Sequence, residues 1–301
     1  MTFKAAEYAR YTGARSKTPA WMPLAELAIE RGWKSKWVRR ITSMSLMMAL
    51  GLVILMYVLN QIMPSWRDLT QQVGVLAGQE SDAFVIDAGI YLQFLRFFVY
   101  PVLLPLSLLF GYDLISKDIE TNALDAYFSR PISPLSYIMG RSLAFVGFLM
   151  AATFVPILLV WIADWATSDA AHFDLISHVP WGMFWSLLLI SVTLALLVQA
   201  ITTITKSGMW TNITFVFIFV VMHMLSQILY FITDEPAVRA LSVLHNTGVV
   251  CAVALNEIPA ISEDTILSSA PPNVSLNIMI ATSVISFLIV YRGLKRRTFL
   301  G

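Results

Sequence analysis

The chain has 301 residues, of which 57% are hydrophobic and only 13% charged, and its formal net charge is +1. A soluble domain carries about 25% charged residues, so half of the polar surface that keeps a globule in water is missing. That excludes a soluble enzyme and a disordered chain, and the absence of a basic excess excludes nucleic acid as a partner. Cys251 is the only cysteine, which rules out a disulfide scaffold or a cysteine metal cluster.

Crossing ~30 Å of hydrocarbon takes ~20 helical residues. Six stretches poor in Asp, Glu, Lys and Arg meet that need: 42–63, 91–111, 142–163, 181–205, 209–232 and 275–291. The expected fold is an all-α polytopic membrane protein with six transmembrane helices. Segment 1–41 is a cytoplasmic N-terminal region, 42–291 the transmembrane domain and 292–301 a basic tail. The first apolar run is longer than a signal-peptide core and reads as an uncleaved span.

Within 1–41, Ile29, Trp33, Trp37 and Ile41 recur every four residues, with Lys34, Lys36, Arg39 and Arg40 on other faces. A basic amphipathic helix with tryptophans suits a membrane interface. The pattern predicts an elbow helix over 24–40, with Trp33, Trp37, Arg39 and Arg40 at the interface with the lipid bilayer.

Nine lysines and arginines precede the first span, three lie between spans two and three, one between spans four and five, and four in the tail. Seventeen of 20 therefore share one side, and the positive-inside rule puts both termini in the cytoplasm. An even number of spans requires the same.

Span two carries Arg96 near its start, and Pro101 and Pro105 predict a kink. His223 and Gln227 lie one turn apart in span five. Arg96, His223 and Gln227 are the candidate pathway residues, with snorkelling and interhelical hydrogen bonding as the plainer readings. The external segment 233–274 is too polar for a seventh span and is expected to dip into the outer leaflet as short helices. His172, Asp174 and His178 are close in sequence but weakly spaced as ligands, so no metal site is expected.

The loop between spans two and three is the most specific stretch. Ser116 can cap a helix with Asp118 and Glu120 in its first turn. Ile119, Leu124, Tyr127 and Phe128 can share one face, and Pro131 and Pro134 stop the helix before the next begins at about Leu135. Such an amphipathic acidic helix is suited to docking on a soluble partner.

At these residues the chain resembles the integral membrane subunits of ATP-binding cassette transporters of the ABC-2 type. The family's loop reads Asp-x-Glu-x-Gly-Thr-Leu-Glu, three apolar residues, Ser-x-Pro-Ile/Val-Ser, then Tyr and Gly-Lys/Arg. Asp118, Glu120, Leu124, Ser129, Pro131, Ile132, Ser133, Tyr137, Gly140 and Arg141 fit that pattern, and Asp125 stands at the second Glu. Asn122 and Ala123 replace the usual Gly-Thr. The match covers about 30 residues, and the remainder agrees in layout alone.

The resemblance implies a cytoplasmic coupling helix whose Asp118, Glu120, Leu124, Asp125, Tyr127, Phe128 and Arg130 contact an ATP-binding cassette ATPase subunit. It also implies a second copy of the permease, as a homodimer, and residence in a bacterial plasma (inner) membrane. No phosphate-binding Gly-x-x-x-x-Gly-Lys loop occurs in the sequence. The chain is thus expected to hold no cofactor and to be no enzyme, with ATP and Mg bound by the partner. The expected function is export driven by that ATPase, and losing Asp118 and Glu120 is expected to abolish stimulated ATP turnover without unfolding the spans. One alternative transmits the ATP-driven motion to a periplasmic partner or an assembly process through 233–274. A less favoured one is an ATPase-independent transporter, whose mark would be ionisable residues at mid-bilayer.

Overall fold

Backbone groups in hydrocarbon must be satisfied within their own segment, and the long apolar stretches are accordingly helical. A computed structural model of the chain describes residues 19–62, 88–111, 115–121, 123–128, 132–168, 170–257 and 270–298. Among the described residues there is no strand. The helices are α1 (Trp21–Lys34), α2 (Lys36–Tyr57), α3 (Ala88–Phe98), α4 (Ser116–Glu120), α5 (Ala123–Phe128) and α6 (Pro134–Thr167). They continue with α7 (Ala170–Ile176), α8 (Val179–Thr205), α9 (Gly208–Val216), α10 (Met222–Thr233), α11 (Val243–Ala254) and α12 (Pro272–Thr298).

Among the described residues six helical runs are long and apolar enough to cross a membrane, which suggests a multi-pass membrane protein. They are built on α2, α3, α6, α8, α9 with α10, and α12. The core lies along α6 and α8, which pack on each other. α2 lies against α6, and α12 against α8. By contrast, α9, α10 and the turn joining them bury only Gly208, Thr211, Phe215, Phe219 and Ser226. Their exposed residues include Met209, Trp210, Met224, Phe231 and Ile232, an apolar surface suited to lipid.

The expected single helix over 24–40 is two helices. Ser35 is extended (φ −70°, ψ 122°), and its N–H donates to the Gly32 carbonyl at 3.1 Å, closing α1. Trp37, Arg39 and Arg40 therefore belong to the first turns of α2, while Trp33 stays on α1. The buried face of α1 is Leu24, Ala25, Ala28 and Gly32; α1 packs on α6, and Gly32 lies against Phe110 of span two. The Ile29, Trp33 and Trp37 stripe is exposed, although Trp33 also stacks on Phe148 of α6 at 5.9 Å.

Small residues let these backbones approach closely. A Cβ on Gly140 would stand 2.7 Å from the Trp21 carbonyl oxygen, and one on Gly32 would stand 2.1 Å from the Phe110 ring.

Span two bends as its prolines demand. Each proline removes a backbone donor, and α3 passes into a π-type turn at Val99–Leu103, which contains Pro101. A second π-type turn at Ser107–Gly111 follows Pro105. Span three is longer than expected. α6 starts at Pro134, whose fixed φ suits a first helical position, and Ser133 caps it by accepting the Ser136 N–H at 3.1 Å. This early start puts Tyr137 and Arg141 on the same rigid rod as the span.

The 12-residue α11 is too short to cross. It follows a 3₁₀ turn (Pro236–Leu241) and packs on α8 and α12 at the end of the bundle opposite α4 and α5.

Candidate functional site

The loop between spans two and three folds as two short helices, α4 and α5, rather than one. The first helical residue of α4 is Ser116, and Ile115 occupies the cap position without a side-chain hydrogen bond. Ser116 therefore does not play the capping role its sequence position predicts.

Asp118 sits at the centre of this end of the molecule. Its side chain is only 2% exposed. One carboxylate oxygen accepts the Tyr137 hydroxyl at 2.7 Å and a hydrogen bond from the Arg141 guanidinium, and the other accepts Arg31 Nη1 at 3.3 Å. Three elements thus converge on one carboxylate: α4 supplies it, α6 supplies Tyr137 and Arg141, and α1 supplies Arg31. Arg141 is 1% exposed and Arg31 44%. A buried ion pair repays its desolvation only with good geometry and further hydrogen bonds, and Tyr137 supplies one to the carboxylate.

The expected docking residues divide accordingly. Asp118 and Leu124 are buried, which removes them from any surface a partner could touch in this conformation and makes them positioning residues. Tyr127 is half-buried, with its ring 6.0 Å from that of Tyr137. Glu120 is exposed, and its Oε1 lies 3.5 Å from the Gly208 N–H at the start of α9. The side chains of Asp125 and Phe128, and all of Arg130, lie outside the described residues.

At the opposite end the structure brings together residues far apart in sequence. A Cβ on Gly248 of α11 would lie 3.2 Å from the Tyr100 hydroxyl and 3.8 Å from Arg96 Nε. His223 Nδ1 lies 2.9 Å from the Ser242 hydroxyl, whose oxygen also caps α11 through the His245 N–H. His245 Nε2 accepts the Ala270 N–H at 3.1 Å, which requires a neutral imidazole. Burial, together with the charges of Arg239, His223 and Arg96, pushes the His245 imidazolium down to about 4. Gln227 is half-buried on α10 without a hydrogen bond to another described residue.

Sequence reading singled out Arg96 and His223 but missed Ser242 and His245 beside them. The signal available was a serine directly before an apolar run, a residue type preferred at a helix N-cap; nothing in the sequence marks His245.

Near that end, Asp164 of α6 is fully buried and accepts the Tyr91 hydroxyl at 2.8 Å and the Ser168 hydroxyl at 3.1 Å; His172 Nε2 lies 3.1 Å away. His178 Nε2 donates to the Leu255 carbonyl at 3.3 Å. His172 and His178 thus join helices rather than converging on a shared point. Gln199 on α8 donates to the Ser142 hydroxyl of α6 at 2.8 Å, an interhelical tie.

No protein-family model matches the chain, and no curated protein is similar to it at a significant level.

Proposed function

We propose that this chain is the membrane-spanning subunit of an ATP-binding cassette exporter, with both termini in the cytoplasm and ATP hydrolysis on a separate subunit. The observation that supports this reading is the construction of segment 115–141. Two short helices stand between two spans and are fastened through Asp118 to α1 and to the start of α6. A force applied to α4 and α5 therefore reaches both a long span and the helix preceding the first one. In this reading α1 is the interfacial elbow, and the exposed Glu120 with the neighbouring turn at Thr121 forms the part of the docking face visible here. The ATPase pushes on that face when it binds nucleotide, and the permease pair responds by changing the population of its states.

The test is purification of the tagged full chain from its native cells in mild detergent, followed by identification of equimolar partners. Co-purification of an ATPase with a phosphate-binding loop, lost or weakened in Glu120→Arg with the chain still folded, is the expected result. Recovery of folded chain without an ATPase under several gentle conditions would overturn it.

A further inference from the structure

Spans four and five are joined by only Lys206 and Ser207. Lys206 takes the left-handed conformation (φ 56°) and closes α8 by donating its N–H to the Thr202 carbonyl at 2.8 Å. Ser207 is extended (φ −141°, ψ 132°) and stands at the N-cap of α9, yet its side chain makes no capping hydrogen bond. The first N–H groups of a helix have no partner within it, and a serine at the N-cap is the usual remedy. Here the acceptor comes from 88 residues away: Glu120 Oε1 of α4 accepts the Gly208 N–H at 3.5 Å. Its carboxylate meets the positive end of the α9 dipole, where negative charge is favoured. The corner around Gly208 is braced. The Thr211 hydroxyl donates to the Ser207 carbonyl at 2.8 Å and lies 2.9 Å from the Thr205 hydroxyl and 3.3 Å from that of Thr202. Beyond Thr211, α9 and α10 bury few residues, and the π-type turn Phe217–Val221 interrupts the regular helix. The inner end of span five is therefore pinned at Thr211 and held at its tip by α4.

We propose that Glu120 is a positioning residue that ties α4 to the start of span five, so that α4 moves spans three and five together. Asp118 and Glu120 lie two residues apart on α4 and reach different elements. Asp118 holds Tyr137 and Arg141 of α6, and Glu120 holds Gly208 of α9. The Glu120 contact is longer than the usual about 2.7–3.2 Å, which makes it the looser of the two ties. A small shift of α4 towards α9 tightens it, and the opposite shift releases it. The tie uses one carboxylate oxygen of an exposed side chain, so Glu120 can hold α9 and still meet a partner. The inference extends the exporter reading and rests on it only for the source of the movement.

The experiment is hydrogen–deuterium exchange on the full chain in lipid nanodiscs, with no partner added. Glu120→Ala should speed exchange across 208–212 about three-fold and leave α12 unchanged. Ser207→Asp supplies a cap from the N-cap position of α9 itself and should restore protection in the Glu120→Ala background. Tyr137→Phe loosens Asp118 from α6. It should speed exchange at 208–212 when Glu120 is present and add nothing in the Glu120→Ala background, a dependence that a purely local cap would not produce. Unchanged exchange in Glu120→Ala would overturn the tie, and so would an acceleration that Ser207→Asp fails to reverse. A Tyr137→Phe effect that is equal in both backgrounds, or absent from both, would overturn the joint movement. The ATPase plays no part in these measurements, so a missing tie and a missing partner are read separately.

Discussion

Replacing Asp118 by Asn separates a positioning role from a docking role. The substitution keeps the side-chain shape and removes the negative charge, leaving the Arg141 guanidinium buried without its counter-ion. Breaking one side of a buried pair costs about 3–5 kcal/mol, which lowers the thermal midpoint by roughly 10 °C at this chain length. The Arg31 arm is half-exposed and its bond is 3.3 Å long, so Arg31→Gln should cost less than about 1 kcal/mol after solvent screening. The two values should therefore differ several-fold. Thermal unfolding in detergent, followed by tryptophan fluorescence, reads both. A cycle combining Asp118→Asn with Arg141→Gln should return a coupling energy of about 2 kcal/mol. If Asp118→Asn stayed within about 0.5 kcal/mol of the unaltered chain, the range of ordinary surface changes, the carboxylate would be a surface group and the convergence of α1, α4 and α6 on it would carry no energy. The expectation that Asp118 can be removed without touching the fold is replaced by this one, because its burial was invisible in sequence.

Three further outcomes follow from packing and protonation. Gly140→Ala should destabilise by about 1–3 kcal/mol, because the new methyl meets the Trp21 backbone oxygen, whereas Gly32→Ala meets a Phe110 ring that can turn. Equal losses for the two in a denaturant titration would show that α1 does not rest on α6 as described. Tyr91→Phe deletes the hydroxyl that donates to buried Asp164 and should cost about 1.5–3 kcal/mol, read as a lowered midpoint with unchanged helicity. His245, held near 4 when folded, takes up its proton on unfolding between about pH 4 and its unfolded value near 6.5. Its contribution is therefore complete above pH 6.5 and lost as pH falls towards 4. His245→Gln should flatten that part of the stability profile, and an unchanged slope would show that the imidazole is not neutral in the fold.

The spans were legible because hydropathy and length are properties of a stretch of chain rather than of its neighbours. The kink at Pro101 was legible for the same reason, since a missing backbone donor acts locally. What escaped the sequence depended on partners. The break at Ser35 lies within an uninterrupted helical pattern, and nothing nearby announces that its backbone turns extended. The Ile29–Trp33 stripe reads as an interfacial face and is exposed; what the sequence does not announce is the face that packs on protein, Leu24, Ala25, Ala28 and Gly32, whose value lies in smallness rather than hydropathy. Asp118 read as a solvated acid because its two arginines come from positions 31 and 141, one before the first span and the other after the loop. A helix from about Leu135 was legible from Pro131 and Pro134, but not that it continues unbroken into the span drawn from Ser142, which is what sets Tyr137 and Arg141 on one rod with it. His245 carried no signal of its own, because its acceptor role requires Ala270, 25 residues on.

The length of α6 has a mechanical consequence. Thirty-four residues in one helix measure about 50 Å, some 20 Å more than the hydrocarbon they cross. The rod is gripped near both ends by a buried carboxylate, Asp118 against Arg141 at one and Asp164 at the other. Pro156, the only proline inside it, divides the distance between the grips into arms of about 22 Å and 12 Å. A tilt about that point would be geared down by nearly two to one. In the proposed exporter, a stroke on the α4–α5 side would reach Tyr91 and α7 as a displacement about half as long. A pivot at that one proline would make the helix a see-saw with unequal arms.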